Sequence, residues 1–136
     1  MAMELKDNVP PQNLAAEQAT LGAMLLDWSA VPEVITKLSV DRFYSFQHQV
    51  IYEGIRSLAN QSIHGDMLTL VNELSKLGKL EQAGGTGYIA SLTDTVPTSS
   101  NVNYYVDIVL DCATRRDLIK LSSELKAHAF DETKNG

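Results

Sequence analysis

The chain has 136 residues, enough for one domain with a single hydrophobic core and too few for two. Its hydrophobic fraction of 44% is ordinary for a globular protein, and no apolar run approaches the roughly 20 residues needed to span a bilayer, which excludes a membrane protein. The net charge of −6 argues against a domain that grips nucleic-acid phosphates, since such domains concentrate lysine and arginine.

Residues 1–12 are expected to form a flexible N-terminal arm. The arm is not a secretory signal, because no basic segment precedes an apolar stretch. We therefore expect a cytoplasmic protein.

Residues 13–97 are expected to form a compact helical head. Apolar residues recur there at helical spacing and no series of alternating strands is present, so the predicted fold class is all-α. The head should contain about five helices, and a long C-terminal helix should follow it within residues 98–130. The predicted head helices cover residues 14–27, 31–38, 46–60, the stretch between Asp66 and Gly78, and residues 88–94.

Residues suited to helix ends support these boundaries. Asn13, Ser45 and Asp66 are expected to act as N-caps, and Gly78 to end the fourth helix in a left-handed turn. The second helix should be capped by Ser29 or Val31. Gly22 within the first helix indicates a close approach by another helix. The core-facing stripes are predicted to be Leu14, Gln18, Leu21 and Leu25 in the first helix, Val50, Ile51, Ile55 and Leu58 in the third, with His48 and Tyr52 beside them, and Leu70, Val71, Leu74 and Leu77 in the fourth.

The long helix, predicted over residues 102–130, carries two different apolar faces. At 100° per residue, Val102, Tyr105, Val109, Cys112 and Ala113 share one side, and Leu118, Leu121, Leu125 and Ala129 share nearly the opposite side. A helix packed on one core keeps its apolar residues on one side, so the second set is a candidate protein interface with the spacing of a short coiled-coil seam. The alternative is a kink near Arg115 that returns the second half to the head.

No catalytic, cofactor-binding or metal-binding site is predicted. His48, His64 and His128 lack the spacing of a zinc site, and the glycines at positions 84–87 lack the Gly-Lys-Ser/Thr that completes a phosphate-binding loop. A competing hypothesis makes the chain a stand-alone nucleic-acid-binding helical module. It would use Arg115, Arg116 and Lys120 of the last helix.

Three segments of the chain resemble the N-terminal domain of bacterial replicative DNA helicases of the DnaB type. They are VPPQNLAAEQ (residues 9–18) followed by LGAMLL (21–26), LGKLEQAGG (77–85) followed by YIASL (88–92), and NVNYYVDIV (101–109). They occur in the expected order and together cover most of residues 9–116.

The resemblance implies a collar domain that pairs through helical hairpins, as a dimer and within a hexamer, and that contacts primase and the helicase loader. The long helix would be the first arm of the hairpin, and residues 131–136 a tail cut before the second hairpin helix, the linker and the ATPase domain. By the same resemblance, ATP and Mg²⁺ belong to the absent motor domain, which unwinds DNA. This chain should bind little or no DNA directly and no membrane.

Overall fold

A computed structural model describes residues 9–94, 96 and 101–131. Residues 1–8 of the predicted arm, residues 95 and 97–100, and residues 132–136 of the predicted tail lie outside the described part. Within it all the regular secondary structure is helical and no strand is present, which confirms the all-α class. The helices are α1 (Leu14–Leu26), α2 (Val31–Lys37), α3 (Phe46–Asn60), α4 (Met67–Lys76), α5 (Gly85–Asp94) and α6 (Val102–Phe130), with short 3-10 helices at Trp28–Ala30 and Val40–Arg42.

The predicted N-caps of α1, α3 and α4 are confirmed. The side chains of Asn13, Ser45 and Asp66 each accept a hydrogen bond from the backbone N–H three residues later, at 2.9, 3.4 and 2.8 Å. The Thr69 hydroxyl in turn accepts a hydrogen bond from the backbone N–H of Asp66, which completes a capping box. At the other end of α4, Gly78 adopts the predicted left-handed conformation, with φ of 70°.

Helix α2 begins at Val31 as predicted, but its predicted cap is wrong, and so is the predicted start of α5. The N-cap of α2 is Ala30, and neither Ser29 nor Val31 caps it, because the 3-10 helix Trp28–Ala30 runs directly into α2. Helix α5 begins at Gly85 and not at Tyr88. Gly84 and Gly85 both have positive φ, so these two glycines form the turn and the helix follows it directly.

Helix α1 is the central element, packing against α6, α5 and α3. Leu21, Ala23 and Met24 in α1 are fully buried. The close approach predicted at Gly22 is confirmed, since a Cβ there would overlap the carbonyl oxygen of Leu92 at the end of α5. Glycine is therefore required for α5 to cross α1 at this distance.

The predicted core stripes are buried away from the helix ends, except that Gln18 and Val71 are half-buried, and they are wrong at two ends. Leu14 is 43% exposed and Leu77 is 49% exposed. Leu14 lies in the first turn of α1 and Leu77 is the C-cap of α4, where each helix reaches past the element that covers it. Tyr52, predicted to lie beside the α3 stripe, is fully buried and donates a hydrogen bond to the Leu38 carbonyl at 2.8 Å. No helix in the described residues is long and apolar enough to cross a membrane.

Candidate protein-interaction surface

The first half of α6 is part of the head. Its buried residues, Val102, Val106, Val109 and Ala113, lie along one side and are at most 6% exposed. Helix α6 packs there against α1 and α2. Of the face predicted for the first half, Val102, Val109 and Ala113 lie on the core, and Tyr105 and Cys112 are half-buried.

The second half of α6 continues as an uninterrupted helix away from the head. Every residue from Leu118 to Phe130 is exposed, and we call this stretch the projecting segment. The alternative of a kink near Arg115 that returns this half to the head is wrong, because the helix continues to Phe130 and its side chains stay uncovered. At about 1.5 Å per residue the projecting segment extends about 20 Å.

One side of the projecting segment is apolar and uncovered. Leu118, Leu121 and Leu125 are 59%, 50% and 61% exposed, and Ala129 is exposed on the same side. We call these four residues the leucine stripe. At 100° per residue, Glu124 and Lys126 lie on opposite flanks of the stripe. An apolar seam with charges of both signs on its flanks is the pattern of a helix that packs against another helix.

The leucine stripe can contribute only modest association energy by itself. Burying a leucine completely contributes about 1.5–3 kcal/mol, and the helix already covers about half of each side chain, so the three leucines offer about 2–5 kcal/mol. Association costs about 4–15 kcal/mol in lost freedom. A stable complex therefore needs more contact area than these side chains supply.

The basic residues predicted as a possible nucleic-acid patch do not form one. Arg115 donates to the Asp111 carboxylate at 2.9 Å as an exposed ion pair. Arg116 turns toward the head and donates to the carbonyl oxygens of Pro11 and Arg42 at 2.9 and 2.8 Å. Two of the three cations of the nucleic-acid hypothesis are thus engaged within the chain.

A buried polar cluster escaped the sequence analysis. Glu17 and His48 are 1% and 2% exposed, with 2.7 Å between the Glu17 carboxylate and Nδ1 of the ring. The other ring nitrogen contacts the Tyr88 hydroxyl at 2.6 Å. The one signal in the sequence is that Glu17 shares a helix side with Leu21 and Met24, both core residues. Because the pair is buried, no substrate can reach it. Its contacts hold neighbouring helices together.

The glycine-rich turn and the acidic residues give no fit for ATP and magnesium. A Cβ at Gly84 would overlap the side chain of Gln47 in α3, so the turn packs on protein at this glycine. In the described part of the chain, no three His, Cys, Asp or Glu side chains come together in a way that could hold a metal ion.

Comparison with known proteins identifies the fold. Residues 9–111 match the family model described as the DnaB-like helicase N terminal domain. The replicative DNA helicase DnaB of Treponema pallidum (strain Nichols) is 44% identical over 133 residues, covering 98% of this chain and 30% of that protein. The chain therefore spans less than a third of that relative's length.

Solved structures agree with the family match. The N-terminal domain of DnaB helicase from Mycobacterium tuberculosis superposes with a TM-score of 0.87 at 36% identity, covering 92% of this chain and 91% of that one. The N-terminal domain of DnaB helicase from Helicobacter pylori, which was described with its interactions with primase, has a TM-score of 0.72 at 17% identity, covering 86% and 91%. At that identity the second likeness shows the fold alone.

Proposed function

The chain belongs to the family of DnaB-like helicase N-terminal domains, and from this premise we propose that it is the collar of a replicative DNA helicase, which holds copies together and docks partner proteins. The observation that carries the proposal is the leucine stripe on the projecting segment. On this segment the chain presents an apolar helix side that its own head does not cover.

The proposed contact is helix against helix. The head supports α6 only up to about Asp117, and the leucine stripe begins at Leu118. Exposed leucines at three-then-four spacing fit the holes of a facing helix. In the parent protein that helix would be the second arm of a hairpin, and two hairpins would pair to form a dimer, three of which would make a hexameric collar.

Under this proposal, the catalytic activity lies in another part of the parent protein. DNA unwinding, ATP binding and the Mg²⁺ that accompanies ATP would belong to a motor domain outside the matched region. The domain itself would bind little or no DNA. A replicative helicase would act on the chromosome, so the location that we propose for the chain is the cytoplasm.

Primase and the helicase loader are the proposed partners. The Helicobacter pylori domain is described with primase, and this chain has the same fold. We assign no residue of this chain to either contact.

Sedimentation equilibrium of the chain and two variants tests the self-association. Leu121→Asp places a charge in the leucine stripe, and Ser123→Asp places the same charge on the opposite side of the helix. We expect the wild type and Ser123→Asp to gain apparent mass as concentration rises, and Leu121→Asp to stay monomeric. Equal behaviour of all three proteins would contradict the proposal.

A further inference from the structure

Helix α6 leaves the head at two adjacent charged residues. Ala113 is the last buried residue of the helix, and within the described part of the chain Arg116 and Asp117 are the last whose side chains bond to the head. The projecting segment begins immediately after them. Contacts at this position have the greatest influence on the direction of the free part of the helix.

Arg116 connects α6 to two other segments of the chain. Its guanidinium donates to the carbonyl oxygens of Pro11, just before α1, and of Arg42, between α2 and α3. Its Cζ also lies 5.4 Å from the centre of the Tyr44 ring. Arginine is suited to this role, since its planar guanidinium holds several donors in fixed directions, whereas lysine offers a single flexible ammonium.

Asp117 makes a second connection to one of these segments. Its carboxylate accepts from both terminal nitrogens of Arg42, at 2.7 and 3.3 Å. Arg42 therefore binds α6 twice: its carbonyl accepts from Arg116, and its guanidinium donates to Asp117. The Arg42 side chain is 21% exposed, so this pair is partly shielded from solvent.

The packing of α6 against the head becomes sparse near the exit point. The last buried side chain is the methyl group of Ala113, which offers little surface to resist tilting. Because the projecting segment is about 20 Å long, a tilt of about 10° at the exit moves its tip by about 3–4 Å. Helices that pack together keep axes about 8–10 Å apart, so such a shift would spoil an interface at the tip.

We propose that Arg116 is a positioning residue that, together with the Arg42–Asp117 pair, sets the direction in which the projecting segment leaves the head. Its importance for assembly rests on the proposed function of the leucine stripe. The setting of the direction is a property of the single chain. It can therefore be tested without any association.

The test measures distances between spin labels on the head and on the projecting segment by pulsed electron paramagnetic resonance. Labels at Thr36→Cys and Ser123→Cys suit it, because Lys37 contacts Asn103, which lies about 30 Å along α6 from Ser123. Cys112 is replaced by serine to prevent labelling there. Leu121→Asp is included so that the chains remain single.

Arg116→Met is compared with Arg115→Met, the adjacent arginine whose only described partner is Asp111 on the same helix. We expect the parent and Arg115→Met to give the same narrow distance distribution, and Arg116→Met to give a broader or shifted distribution with unchanged helix content. Equal distributions for Arg116→Met and Arg115→Met would overturn the proposal.

A second variant covers the case in which Arg116→Met does not fold. Asp117→Asn weakens the exposed half of the connection and should produce a smaller broadening. An unchanged distribution in Asp117→Asn, together with an unfolded Arg116→Met, would also overturn the proposal, since Arg116 would then be needed for folding only. If the leucine stripe were not an association surface, the sedimentation experiment would show this separately, because the wild-type chain would not associate.

Discussion

Glu17 of α1 and His48 of α3 face each other inside the head, with 2.7 Å between a carboxylate oxygen and Nδ1 of the ring. The carboxylate also accepts from the backbone N–H groups of Tyr44 and Ser45, at 2.7 and 3.3 Å, at the start of α3. His48 in turn contacts the Tyr88 hydroxyl of α5. This cluster fixes the position of three helices around the point where α1 begins.

Glu17→Ala should destabilise the head severely. Removing the carboxylate leaves buried donors without an acceptor, and each such group costs about 1–3 kcal/mol, so we expect a loss of about 3 kcal/mol or more in the free energy of unfolding. Urea-induced unfolding measures this change in the free energy of unfolding. Glu53→Ala, at an exposed position of α3, is the control and should change stability by about 0.5 kcal/mol or less. A loss below about 1 kcal/mol for Glu17→Ala would contradict the structural role of the cluster.

Gly22→Ala should destabilise the contact between α1 and α5. The new methyl group would overlap the Leu92 carbonyl and lie 2.7 Å from Cγ2 of Val96, and overpacking of this kind costs about 1–3 kcal/mol. Gly87→Ala is the matched control in α5, because a Cβ there meets no atom within 4 Å. Since alanine favours helix over glycine, the control should be neutral or stabilising by up to about 1 kcal/mol. Thermal unfolding of both variants compares them, and a Gly22→Ala protein as stable as Gly87→Ala would refute the close approach.

Arg42→Ala should raise the pKa of Asp117. The hydrogen bond from Arg42 holds the pKa of this carboxyl below its usual value of 3.8. Because the folded pKa is the lower one, the pair stabilises the fold above the unfolded pKa, and this contribution is lost as the pH falls through the folded pKa. Carboxyl carbon NMR titration measures the pKa in both proteins.

Asp66 is the internal control for that titration. Its pKa is lowered mainly by the backbone N–H of Thr69, far from Arg42 in sequence, so the substitution should leave it unchanged. An Asp117 pKa that stays low in Arg42→Ala would show that Arg42 is not its cause.

The helices could be predicted from sequence wherever a local residue preference coincided with packing. Asn13, Ser45 and Asp66 each cap a helix through their own side chain, so the information lies within four residues. The exposed side of the projecting segment was also predictable, because a continuous helix cannot keep two opposite apolar faces on one core.

The features that could not be predicted depend on contacts between segments that are distant in the sequence. Arg116 belongs to a charged stretch in the sequence, and only the fold brings the Pro11 and Arg42 carbonyls to its guanidinium. Glu17 shares a helix side with core residues, but only the fold brings its partners on α3 and in the loop before α3 to the carboxylate. Leu14 and Leu77 are exposed because the extent of a neighbouring helix, which a local pattern does not contain, decides how far the core reaches.

The most direct test of the central claim is an NMR concentration series of the chain, following the backbone amide signals from dilute to millimolar protein. If the leucine stripe is the association surface, the signals that shift or broaden with concentration will be those of Leu118, Leu121, Leu125 and Ala129 and their neighbours on the projecting segment. Shifts confined to the head, with the projecting segment unchanged, would contradict the account.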